Sequence, residues 1–138
     1  MAARDKHHDA VRSALIADGW TITHDPLYLS VEDIGFSIDL GAEKLIGAER
    51  QGRKIAVEVK SFLRASLITD FHQAVGQCNS YQTALDISKM EHELFLAIPY
   101  HTFRQLEDSN FYTAAMKRAR INLIAVDTDK AIIIKWIE

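Results

Sequence analysis

Glu58 and Lys60 stand two apart in Ile55-Ala56-Val57-Glu58-Val59-Lys60. Side chains alternate along a strand, so both would project from one face, with Val57 and Val59 on the other. A carboxylate beside an ammonium suits metal-dependent phosphodiester hydrolysis. Hard carboxylate oxygens hold Mg²⁺ or Mn²⁺. A nearby cation orients the attacking water and offsets charge on the phosphorane. Glu-X-Lys also occurs often as a plain exposed charge pair, so this chemistry requires a second acid. Asp39, in Ser37-Ile38-Asp39-Leu40, supplies one in the spacing D-X18-E-X-K. A hairpin between them would bring both acids to one edge of a sheet. Glu43 and Glu49 compete for this place because spacing alone does not choose, and Asp39 would serve equally as a turn or strand-end residue.

Gln77 and Tyr81 are four apart, so on a helix they share a face and stack one turn apart. They would contact a phosphate or orient Lys60; the plainer role is a polar flank with a half-buried Tyr. From Lys44 to Arg64 the basic residues Lys44, Arg50, Arg53, Lys54, Lys60 and Arg64 outnumber the acids Glu49 and Glu58. Lys117, Arg118 and Arg120 form a second basic cluster. Such regions would meet a phosphate backbone, or form solvated charge at hairpins and helix ends. His8 and Asp9 read as a surface pair, His24 as a turn residue and Cys78 as a packed free thiol. His92 and His101 have no zinc-ligand spacing.

The elements that must position these residues follow from periodicity. Arg4 to Asp18 carries Val11, Ala14 and Leu15 at helical spacing and stops at Gly19. Trp20–Thr23 and Leu27–Val31 read as short strands around a turn at His24-Asp25-Pro26, while 32–37 is ambiguous. Residues 44–49 and 55–60 form a hairpin about a glycine-containing loop at 50–53. Residues 69–86 form a helix, with Thr69 as N-cap and Phe71, Val75, Cys78 and Leu85 as its apolar stripe. Leu94–Ile98 is a buried strand ended by Pro99. Residues 102–120 form one helix with Phe103, Leu106 and Phe111 inward, and a hairpin joins 121–126 to 131–137. This order predicts an α/β fold: a central mixed sheet flanked by helices, with a C-terminal β-hairpin.

Composition bounds the rest. The chain has 138 residues, 48% hydrophobic and 25% charged, which suits one domain spanning 1–138. Its 16 basic and 19 acidic residues leave a net charge of −3, which excludes a clamp acting by bulk positive charge. One cysteine excludes a disulfide scaffold or a Cys-based zinc site. No signal peptide or membrane span is evident, so a cytoplasmic protein is expected.

Asp39, Glu58-Val59-Lys60 and Gln77-X3-Tyr81 together resemble the PD-(D/E)XK nuclease superfamily, the last pair resembling its RecB-like members. Ile38 stands where that motif has proline. The resemblance implies a restriction-endonuclease-like αβββαβ core. It also implies catalysis by Asp39, Glu58 and Lys60, Mg²⁺ or Mn²⁺ on Asp39 and Glu58, and substrate positioning by Gln77 and Tyr81. Longer segments are similar to the XisH family of cyanobacterial fdxN-element excision controlling factors: 18–26, 38–44, 54–62 and 135–137. That similarity implies DNA as substrate, with a small XisI-like protein and a site-specific recombinase as partners, during heterocyst development. Two alternatives keep the same fold: a catalytically silent accessory factor that binds DNA or protein, and a nuclease silenced by its small partner. With no room for a separate DNA-reading domain, sequence specificity would come from a partner or from homo-oligomerisation.

Overall fold

The structure, a computed structural model, describes residues 5–46, 51–63 and 66–138. The elements in order are α1 His8–Ala17, β1 Thr21–His24, β2 Leu27–Val31, β3 Ile34–Ile38, β4 Leu40–Ile46 and β5 Gln51–Val59. They continue with α2 Leu67–Ile87, β6 Glu93–Pro99, α3 Tyr100–Glu107, α4 Asn110–Arg118, β7 Asn122–Asp127 and β8 Ile132–Ile137. Six strands form one mixed sheet in the order β1-β4-β5-β6-β7-β8. β5, β6 and β7 run parallel, and β1, β4 and β8 join antiparallel. This is the expected helix-flanked mixed sheet with a C-terminal β7–β8 hairpin.

Both faces of the sheet are covered, which explains why its central strands are apolar at nearly every position. On one face Ile55, Val57 and Val59 pack with Leu40, Phe95, Ile124 and the α1 residues Val11, Ala14 and Leu15. On the other, Ala56, Leu94, Leu96 and Ile98 pack with Phe71, Ala74, Cys78 and Leu85 of α2, Phe103 and Leu106 of α3, and Met116 of α4. The β5–α2–β6 and β6–α3–α4–β7 crossovers advance in one direction across the sheet. Crossovers of one hand then place their helices on one face.

The chain departs from the sequence expectations at identifiable places. The ambiguous 32–37 stretch completes a separate two-stranded sheet, β2–β3. Its two-residue turn is Glu32-Asp33, with φ of 49° and 69°. Such turns usually announce themselves as Asn-Gly, so Glu-Asp hides this one. The β4 strand begins at Leu40, earlier than the expected 44; residues 47–50 lie outside the described residues. Ser66, not Thr69, caps α2, its side chain accepting from the Thr69 N–H. The expected single helix at 102–120 is two, because Asp108 closes α3 and Ser109 caps α4 by accepting from the Tyr112 N–H. Phe111, expected inside, is 60% exposed because the break re-aims the second helix. Gly19 ends α1 with φ of +94°, the left-handed conformation that favours glycine after a helix. Among the described residues no helix is long and apolar enough to cross a membrane.

Candidate active site

Asp39 sits between the end of β3 and the start of β4. Leu40 pairs with Val57 across the β4–β5 ladder, so Asp39 falls beside Glu58 on the α2 face of the sheet. Two hydrogen bonds lock this register. The Val59 N–H donates to Asp39 Oδ2 at 2.8 Å, and the Asp39 N–H donates to Glu58 Oε1 at 3.3 Å. The paired acids therefore come from turning β3 into β4 beside the end of β5. Glu43, the competing acid, pairs in register with Lys54, three ladder pairs beyond Leu40–Val57 and so well away from Glu58. Glu49 lies outside the described residues.

Glu58 is only 5% exposed, so the plainer alternative of an exposed charge pair gives way to a buried carboxyl group on a core strand. Its pKa is pushed up to about 8, first by burial, then by the neighbouring charge of Asp39 and a hydrogen bond between the two carboxyl groups; Lys60 opposes the rise. The Lys60 ammonium is 3.9 Å from Glu58 Oε2. Its backbone N–H continues the parallel ladder past the strand end by donating to the Ala97 carbonyl at 3.0 Å. A buried carboxyl group beside a second, half-buried one favours uptake of a proton or a cation. Hard oxygen donors favour Mg²⁺ or Mn²⁺ over softer metals. Among the described residues no group of three His, Cys, Asp or Glu could hold a metal. Mg²⁺ commonly uses only one or two protein carboxylates, so this pair fits such an ion.

The α2 helix supplies the second wall. The Tyr81 hydroxyl donates to Glu58 Oε2 at 3.4 Å, and burial together with the charge of Glu58 raises its pKa. The Phe36 ring of β3 meets the Tyr81 ring edge-on at 6.3 Å between centroids, so the β2–β3 sheet braces this residue. Gln77 precedes Tyr81 by one turn, and its Oε1 is buried without a hydrogen-bond partner. Among the described residues no hydrogen bond joins this oxygen to Glu58 or Lys60. A buried acceptor left open in this way is available to a ligand donor. Cys78 beside them is a buried thiol, its pKa pushed up to about 12 by burial, as a packed residue should be.

Three residues were not foreseen. Asp5, Asp70 and Gln73 line a cavity of about 210 Å³ together with Lys60, Ser61, Phe62 and Leu63. Asp70, Gln73, Gln77 and Tyr81 recur at three- and four-residue steps, a polar stripe that helical periodicity could have revealed. Asp5 carries no comparable signal, since it is 56 residues from Ser61, its hydrogen-bond partner.

Among the described residues, three further members of the basic stretch lie beside acids. Lys44 lies 3.9 Å from Asp18, Arg53 lies 2.9 Å from Glu93 and also pairs with Glu138, and Lys54 lies 3.9 Å from Glu91. Alternation along β4 and β5 sends Lys44 and Arg53 to one face and Lys54 to the other. Arg50 and Arg64 lie outside the described residues. His8 also departs from expectation: it is buried, and its Nε2 lies 2.7 Å from Asp25 Oδ1, with Arg12 at 3.1 Å from the other oxygen.

The sequence model described as XisH protein matches residues 1–134. The structure is similar to that of an XisH family protein from Nostoc punctiforme PCC 73102, with a TM-score of 0.87 and 37% identity over 97% of this chain and 100% of that one. It is also similar to a fdxN element excision controlling factor protein from Anabaena variabilis, with a TM-score of 0.87 and 38% identity over 98% of this chain and 100% of that one. No curated protein matches the chain.

Proposed function

The chain belongs to the XisH family, and from that premise we propose that it acts in the controlled excision of a DNA element as a divalent-metal-dependent DNA endonuclease. The observation that carries this reading is the pairing of half-buried Asp39 with buried Glu58, with the Lys60 ammonium 3.9 Å from the Glu58 carboxyl group. Asp39 and Glu58, with the Val59 carbonyl, would hold Mg²⁺ or Mn²⁺. When bound, the ion would supply Lewis acidity toward a phosphoryl oxygen. Lys60 orients the attacking water and offsets negative charge developing on the phosphorus oxygens. Tyr81 fixes the Glu58 carboxyl group through its hydroxyl. Gln77 offers its open Oε1 to Lys60 or to a donor on the substrate. Burial of Glu58 keeps bulk water from competing for these groups. The arrangement of acids and lysine resembles that of PD-(D/E)XK nucleases. A small XisI-like protein and a site-specific recombinase are the partners this reading assigns.

Purified chain incubated with DNA and Mg²⁺ or Mn²⁺ should cleave it. Asp39→Ala, Glu58→Ala and Lys60→Ala should each abolish cleavage while circular dichroism shows a folded protein. Cleavage surviving all three changes would overturn the assignment.

A second reading has its own observation. Lys44, Arg53 and Lys54 are each held by acids, which reduces the free positive charge available to a DNA backbone. A catalytically silent factor that binds the recombinase or the small partner uses the same fold. It predicts partner binding unchanged by Asp39→Ala and Glu58→Ala, with no cleavage of any DNA.

A further inference from the structure

The strand that carries Glu58 ends at Val59, and Lys60 makes one more ladder bond, to Ala97. Ser61 lies beyond the ladder yet is only 4% exposed. Its backbone N–H therefore needs a partner that the sheet does not provide. Asp5 provides it from the segment before α1. Asp5 Oδ2 accepts from the Ser61 N–H at 3.0 Å, and Asp5 Oδ1 accepts from the Ser61 hydroxyl. The same carboxylate accepts from the His7 N–H at 3.0 Å, and the Asp5 carbonyl accepts from the His8 N–H at 3.0 Å. One acid thus ties the start of α1 to the residue that follows Lys60. Phe62, next in the chain, has a φ of +55°, a left-handed conformation that an aromatic residue adopts only when its surroundings hold it there.

We propose that Asp5 is a positioning residue for Lys60: by clamping both donors of Ser61, it fixes where the backbone leaves the sheet and so where the ammonium sits against Glu58. The proposal rests on the reading of Lys60 as the cation of the site. The geometry is direct. Lys60 is held on one side by the Ala97 carbonyl and on the other by the Ser61–Asp5 clamp. Lys60 lines the same cavity as Asp5. Without the clamp, two donors of a buried residue lose a charge-assisted acceptor, and the segment must turn outward to find water. Lys60 would move with it. Asp5 itself needs no contact with substrate or metal for this role.

The test uses the full chain with Asp5→Asn and, separately, Ser61→Ala. Asn keeps the shape of Asp but loses the charge and turns a donor toward one of the Ser61 donors. Ser61→Ala removes only the hydroxyl bond. Two readouts are independent of cleavage: amide hydrogen exchange at Ser61, and the rate at which an amine-reactive reagent labels each lysine, read by mass spectrometry. Asp5→Asn should speed exchange at Ser61 and labelling of Lys60 by about tenfold, the loss of roughly one charge-assisted hydrogen bond. Labelling at Lys44 and Lys54 should stay at wild-type rates, and Ser61→Ala should show a smaller change of the same pattern. In a cleavage assay, Asp5→Asn should lower kcat and leave KM for DNA near the wild-type value. Unchanged labelling of Lys60 in a folded Asp5→Asn protein would overturn the proposal. So would a rise spread equally over all lysines, which marks general loosening. If the wild-type chain cleaves no DNA, the proposed activity fails, and Lys60 labelling alone decides whether Asp5 positions it.

Discussion

Replacing Glu58 by glutamine should make the protein more stable at neutral pH while removing one of the two proposed metal ligands. The reasoning starts from a carboxyl group that is 5% exposed and lies beside a second acid. Its pKa rises from 4.5 to about 8 in the folded protein, with burial as the largest cause and Asp39 the next. A group whose folded-state pKa exceeds its unfolded value holds its proton more tightly when folded. Its contribution is fully present below about pH 4.5 and is lost as the pH climbs toward about 8. Each pH unit in that window removes about 1.4 kcal/mol from the folded state, so about 3 kcal/mol is lost by pH 7. Glutamine is neutral throughout and keeps an oxygen for the Asp39 N–H. Its amide nitrogen replaces the oxygen that accepts from Tyr81, so the Tyr81 hydroxyl must turn to accept, which returns part of the gain. A net stabilisation of about 2 kcal/mol at pH 7 remains, or roughly 4–10 °C in Tm for a chain of this size. Thermal and urea melts in EDTA from pH 4 to 8 measure it. The gain should grow with pH and vanish near pH 4. Added Mg²⁺ should then stabilise the wild type, by neutralising the acid pair, and leave Glu58→Gln unmoved. A Glu58→Gln protein that is less stable than wild type at pH 7, or equally displaced at every pH, would refute the argument that burial and Asp39 together load this site.

Further outcomes follow from the same geometry. Mg²⁺ affinity, measured by calorimetry in buffers of different ionisation enthalpy, should rise between pH 6 and 8 with release of a proton, because binding must displace the one held by Glu58. If Lys60 is the proposed catalytic cation, Lys60→Met should lower cleavage by about a hundredfold or more while changing Mg²⁺ affinity little, because in that role the ammonium acts on charge developing in the transition state. Tyr81→Phe removes a 3.4 Å hydrogen bond to Glu58; it should slow cleavage by about tenfold or less and cost about 1 kcal/mol or less in a denaturant titration. Leu85→Ala, at a fully buried position of α2, should lower stability by about 2–5 kcal/mol and leave the site residues in place.

Much of the fold is legible because hydrophobic periodicity reports directly on which faces are covered. The α1 stripe ended by Gly19, the apolar β5 and β6 strands, and the two runs of the C-terminal hairpin can all be read this way. The lapses have local causes. A Glu-Asp turn lacks the glycine that usually marks a type I′ hairpin. Ser109 interrupts a pattern that periodicity alone carries through as a single helix, and Ser66 caps α2 three residues before a second hydroxyl that looks equally suitable.

Residue type and two-residue spacing put Glu58 and Lys60 on one side of β5, and the four-residue spacing put Gln77 and Tyr81 on one side of α2. Those are consequences of strand and helix periods, which a linear pattern contains. Which acid stands beside Glu58 depends on the register of β4 against β5, so Asp39, Glu43 and Glu49 are equivalent until the ladder forms. The excess of basic residues between Lys44 and Arg64 likewise has no spatial meaning until alternation divides its members between faces and acids from elsewhere pair with them. The grip of Asp5 on Ser61 joins residues far apart in the chain through the meeting of α1's approach with the end of β5. Short-range chemistry is written along the chain; charge burial and long-range pairing arise only when the sheet brings its strands together.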